Sequence, residues 1–132
     1  MKSSYIKAVS TDLAPAPVGP YNQAVIAGQW LYCSGQIALN PLTGVLEGNG
    51  NIKAETNQVL KNLLAVLKEA GAKPTQVIKT TIFLTDLADF AVVNSLYAEV
   101  FTEGTSPARA CVEVSALPKG ANVEIECTAF LG

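Results

Sequence analysis

The chain has 132 residues, of which 49% are hydrophobic and 15% charged, with a net charge of −2 and no histidine. Such a length suits one domain, spanning 1–132, that closes an apolar core without disulfide staples. The charge balance leaves no basic footprint for nucleic acid, and the missing imidazole removes Ser–His and Cys–His triads and most zinc sites.

In chain order, a first strand is expected near 5–9. The segment 14–20 has φ fixed at Pro15, Pro17 and Pro20, so it is an extended loop rather than a helix. Strands follow at 23–27 and 30–38, joined by a tight turn at Gly28-Gln29. Asn40, Pro41 and Gly44 are placed as a type I turn would place them. Apolar residues at 52, 59, 60, 63, 64, 67 and 70 mark one face of a helix, with Gly71 and Pro74 as its stop. The β-branched stretch 77–85 reads as a strand. Asp86 or Asp89 is then set to cap a helix carrying Phe90, Val93, Leu96, Tyr97, Val100 and Phe101, whose spacing assigns the aromatics to the core. Strands at 108–114 and 123–131 end the chain. The order β-β-β-α-β-α-β-β implies an α+β or mixed α/β domain with two helices on one sheet.

No apolar run reaches the ~18–20 residues of a membrane span, because the helical stretch 52–70 is broken by Lys53, Glu55, Lys61, Lys68 and Glu69. Cys33, Cys111 and Cys127 form no CxxC pair, which argues against a disulfide framework and a thiolate metal site. The first residues contain no apolar export segment. These features fit a reduced, cytoplasmic protein. Since soluble domains average about 25% charged residues, the sparse charge also suggests a surface partly buried between copies of the chain.

Of nine basic residues, only Arg109 is an arginine. Alternation places Arg109, Cys111 and Glu113 on one face of their strand, and Glu124, Glu126 and Thr128 on one face of the last. One reading is an ordinary solvated sheet face, with ion pairs worth ~0–1 kcal/mol. The other uses the planar guanidinium fork to grip a carboxylate, with a nearby glutamate as acid–base group. If 108–114 and 123–131 paired as a hairpin with Val114 opposite Val123, Arg109 would oppose Thr128, several residues along from Glu124. Tyr21 either packs its loop or faces a ligand. Ser34-Gly35 either marks a bulge or close backbone approach, which glycine permits, or presents amide donors to a ligand. Glu113 and Glu126 read as structural polar residues.

The run from Pro107 through Val114, followed by Leu117-Pro118-Lys119 and Val123-Glu124-Ile125-Glu126, resembles the signature of the RidA/YjgF (Rid) family. Gly19-Pro20-Tyr21, Ser34-Gly35-Gln36, Asn40-Pro41, Thr43-Gly44, Lys79-Thr80-Thr81 and Val93-Asn94 extend the resemblance in order along nearly the whole chain. It implies a chorismate-mutase-like fold, a homotrimer with clefts between subunits, and a 2-iminobutanoate/2-iminopropanoate deaminase. Such an enzyme hydrolyses enamines and imines such as 2-aminoacrylate to 2-keto acids and ammonia, with no cofactor and no metal. By resemblance, Arg109 would bind the substrate carboxylate and Glu124 would position or activate water. Tyr21, Ser34, Gly35, Asn94 and Cys111 would line the pocket. Ser106 and the compact loop before Pro107 depart from the aromatic and longer loop of many relatives, which bears on pocket shape. Two other functions compete: a non-catalytic trimeric binder of keto acids or small carboxylates, and RNA cleavage, which the acidic, histidine-free composition disfavours.

Overall fold

The computed structural model describes residues 5–132, so the reading of the first residues as lacking an export segment falls partly outside it. Strands β1 (Ile6–Val9), β2 (Ala24–Ala27) and β3 (Trp30–Gln36) form an antiparallel meander. Helix α1 (Ile52–Glu69) leads to β4 (Val77–Leu84), helix α2 (Phe90–Val100), β5 (Ala108–Glu113) and β6 (Val123–Phe130). The sheet order is β1-β2-β3-β6-β4-β5, giving an α+β fold with one mixed sheet.

The predicted elements form where the local signals stand. Asn51 caps α1 by accepting from the Ala54 N–H at 3.1 Å. At the other end Gly71 takes a left-handed φ of 79°, and the Ala72 N–H bonds back to Leu67 O. Asp86 caps the short turn before α2 by accepting from Ala88 N at 2.9 Å. Strand β3 stops at Gln36 rather than 38, and its pairing with β6 shifts register between Cys33 and Gln36. Ser34-Gly35 lies within that irregularity.

One long-range expectation fails. β5 and β6 are not a hairpin and do not touch as neighbours; β4 lies between them. β5 pairs in parallel with β4, as a strand returning through a crossover helix does, and β6 then pairs antiparallel with β4 on its other side. Val114 instead donates its N–H to Leu84 O.

Alternation divides the sheet into two faces. Leu31 and Cys33, Val123, Ile125 and Cys127, and Thr80, Ile82 and Leu84 point toward the helices. There they pack against Val59, Leu63, Val66 and Leu67 of α1 and Val93, Leu96 and Tyr97 of α2. The opposite, open face bears Tyr32 at 52% exposure and the ring pair Trp30–Phe130, centroids 4.9 Å apart. No helix among the described residues is long and apolar enough to cross a membrane.

Candidate active site

The seven residues singled out from the sequence do not converge in one chain. Tyr21, Ser34, Gly35 and Glu124 line a cavity of about 450 Å³ at one end of the open face. Arg109 and Asn94 line a second cavity, about 520 Å³, beside α2. Cys111 lines neither; it lies half-buried on the helix face of β5, against the core.

Register gives the reason. Arg109 is level with Thr80, whose hydroxyl meets Tyr97 on α2, so Arg109 belongs to the helix face. Glu124 is level with Phe83 on the open face. Two strand spacings and three residues separate their Cα atoms, roughly 14 Å, and their side chains leave opposite faces. The polar faces of these two strands are therefore not brought together within a single chain, and the hairpin register that would set Arg109 opposite Thr128 does not form.

The first cavity is built from a loop, a bulge and a strand end. Gln23, buried, accepts from Thr11 N at 2.7 Å and donates through Nε2 to the carbonyls of Thr11, Ala14 and Pro15. One amide thus holds the proline-rich loop in place. The Tyr21 hydroxyl accepts from Val18 N at 3.2 Å, closing the same loop. Ser34 fastens the bulge to it, its hydroxyl donating to Asn22 O at 2.6 Å and its N–H to Gln23 O at 2.9 Å. The bulge turns Gly35 under the Glu124 carboxylate. A Cβ on Gly35 would collide with that carboxylate and sit 2.7 Å from its Cδ. A side chain at position 35 would therefore displace the Glu124 carboxylate from this place, and the bulge expected at Ser34-Gly35 is present.

Burial pushes the Glu124 carboxyl above the ordinary glutamate value of 4.5, and the Glu126 carboxylate adds to the rise. Glu126 therefore acts electrostatically on Glu124 while lining the same cavity. Glu113, in contrast, accepts from Leu87 N at 2.9 Å and serves the fold.

Around Arg109 the geometry is that of a held guanidinium. Nη1 donates to Asn94 Oδ1 at 2.6 Å, and the group lies 5.4 Å from the Phe90 ring centroid and 5.0 Å from that of Tyr97. Two aromatics assigned to the core by their spacing thus also shape this cation, while Phe101 stacks on Tyr97 at 4.6 Å. The guanidinium keeps further N–H donors for a carboxylate. Burial raises the Cys111 thiol pKa, and nearby Arg109 only partly offsets it. Cys127, buried and directly across the strands from the Cys33 thiol, is held far above the ordinary thiol range. None of these thiols is set up as a nucleophile. Among the described residues no cluster of His, Cys, Asp or Glu could hold a metal ion.

Sequence reasoning missed Gln23, and it treated Glu55 only as a charge interrupting α1, whereas Glu55 is 1% exposed. A buried polar residue at the start of an apolar strand was the available signal for Gln23.

The model of the family described as endoribonuclease L-PSP matches residues 11–131. A RutC family protein of Synechocystis sp. is 54% identical over 126 residues, covering 96% of this chain and 97% of its own. The 2-iminobutanoate/2-iminopropanoate deaminase of Rattus norvegicus is 46% identical over 132 residues, covering 100% of this chain and 95% of its own. Among solved structures, the Rid-family protein YyfA of Yersinia pestis superposes with a TM-score of 0.91 at 48% identity, covering 95% of this chain and 98% of that one.

Proposed function

Because this chain belongs to the Rid/YjgF family, described also as endoribonuclease L-PSP, we propose that it hydrolyses small carboxylate-bearing imines and enamines to 2-keto acids and ammonia. The site is assembled between copies of the chain, the Arg109 cavity of one facing the Glu124 cavity of the next. The separation of Arg109 and Glu124 on opposite faces supports a shared site, and so does the uncovered open face with Trp30, Tyr32 and Phe130. A homotrimer closes such a heterologous contact into a ring.

The reading rests on one observation above all: Glu124 is a half-buried carboxylate in a cavity, raised in pKa, with no cation among the described residues offsetting the rise. Such a group, when ionised, is a stronger base than an ordinary glutamate and can hold a water and accept its proton. The Arg109 fork fixes the substrate carboxylate. An enamine first takes a proton at carbon to become the imine. Water then adds to the C=N carbon while Glu124 takes its proton. Glu124 returns that proton to the nitrogen of the carbinolamine, ammonia leaves as the C=O forms, and the hydroxyl proton passes to solvent, balancing the one taken up at carbon. The imine is already electrophilic, so positioning and proton transfer suffice.

The test generates 2-aminoacrylate with a PLP-dependent dehydratase and follows pyruvate release beside calorimetric binding of pyruvate. Wild-type protein accelerates release. Arg109→Lys keeps the charge but loses the fork, weakening both binding and turnover, the latter on the order of 10²-fold. Glu124→Gln binds but loses turnover. Binding without any acceleration by the wild type would instead establish a non-catalytic carboxylate binder.

A further inference from the structure

The buried carboxylate that the proposed chemistry leaves unused is Glu55, in the first turn of α1. Its Oε2 accepts from Asn122 N at 2.6 Å and Val123 N at 3.3 Å, and its Oε1 accepts from Asn122 Nδ2 at 2.9 Å. Asn122 is fastened on its other side as well. Its backbone carbonyl accepts from Thr85 N at 3.1 Å, and its Oδ1 accepts from the Thr85 hydroxyl at 3.2 Å. Every polar atom of Asn122 is therefore engaged, half by α1 and half by the end of β4.

Gly48 closes this clamp from outside. With φ at +99° it lies so close that a Cβ there would meet Glu55 Cβ at 2.8 Å and Glu55 N at 2.9 Å. A carboxylate without a cation in such a place is unfavourable unless N–H donors replace its water, as they do here. An aliphatic side chain would fill the volume but leave three donors unpaired. Charge-assisted hydrogen bonds also fix donor geometry more tightly than neutral ones.

What the clamp holds is the beginning of β6. Val123 follows with its side chain in the core, and Glu124 comes next, on the open face with its carboxylate over Gly35. We propose that Glu55 is a positioning residue for Glu124: through Asn122 and Val123 it sets the place from which β6 delivers that carboxylate onto the Gly35 backbone. The proposal rests on the proton-transfer role given to Glu124 above. Arg109, on the other sheet face, has no part in it.

The experiment compares Glu55→Ala, Glu55→Gln and Asn122→Ala, each checked for fold by circular dichroism and for assembly by sedimentation. Two readouts are taken: steady-state turnover of freshly generated 2-aminoacrylate, and the pH titration of the Glu124 carboxyl carbon by NMR. The Glu124 signal is assigned by its loss in Glu124→Gln. In Glu55→Ala, kcat falls roughly 10- to 100-fold, while KM moves less than about threefold because the carboxylate grip is untouched. The Glu124 titration also falls toward that of an ordinary glutamate. Glu55→Gln, whose carbonyl still accepts from the backbone N–H groups, recovers most of kcat, and Asn122→Ala lies between. If Glu55→Ala does not fold, Glu55→Gln and Asn122→Ala decide by the same ordering. Folded Glu55→Ala or Asn122→Ala protein with wild-type kcat and an unmoved Glu124 titration would overturn the proposal, as would a loss confined to KM. A wild type that hydrolyses no imine, with a Glu124 titration that still moves in the variants, would defeat the deaminase reading and leave the positioning role standing.

Discussion

Glu124 draws its character from three neighbours of different kinds. Gly35 gives it room, Glu126 adds a like charge, and the cavity wall removes water from one side. Desolvation and the like charge both disfavour the ionised form, so its pKa lies above the ordinary value of 4.5. A base works only when deprotonated, so kcat/KM should fall as pH drops through this raised pKa, at a higher pH than an unperturbed glutamate would give. Glu126→Gln removes the like charge. It should move the acid limb of a pH–rate profile to lower pH without abolishing activity, whereas an unmoved limb would remove Glu126 from the electrostatics of the site. Arg109 was legible from the sequence as the one arginine in its chain, and Glu124 through the resemblance. The reason for Gly35 was only half legible, because alternation along a strand does not say what side chain a neighbouring strand lays across it.

At the scale of elements, α1 does more than cover the sheet. Asn62, fully buried, donates through Nδ2 to Ile37 O at 3.1 Å and Leu39 O at 2.9 Å, and accepts from Gln58 at 2.8 Å. Ile37 and Leu39 line the Glu124 cavity, so the helix ties down one wall of the cavity as well as the core. Asn62→Leu fills the volume but leaves the buried Leu39 carbonyl without its donor, whereas Ile37 O keeps the Leu39 N–H. It should lower stability by about 1–3 kcal/mol. Thermal unfolding would then drop by several degrees, and an unchanged Tm would refute the tie. The helix itself was legible because its stripe and its glycine stop are local signals. Glu55 and Asn62 were not, since a polar residue near an apolar stripe looks solvated until the loop whose backbone it serves is folded beside it. Sheet order was hidden for a related reason. Two strands joined by a short connection suggest a hairpin, and only the crossover through α2 places β5 outside β4.

For the whole molecule, one sheet carries the two halves of the proposed site on its two faces. A chain with 15% charged residues and Trp30, Tyr32 and Phe130 on its open face has apolar surface to bury against copies of itself. The account therefore turns on whether Arg109 and Glu124 act from different subunits. Mixed oligomers made by co-expressing Arg109→Lys and Glu124→Gln chains test this directly, each variant alone being nearly inactive. If the site is shared, some interfaces join the intact Glu124 of one chain to the intact Arg109 of its neighbour. Random mixing in a cyclic assembly should then restore about a quarter of wild-type turnover. If both residues served from the same chain, no site in the mixture would hold both, and turnover would stay at the level of the separate variants. That result would contradict the shared site.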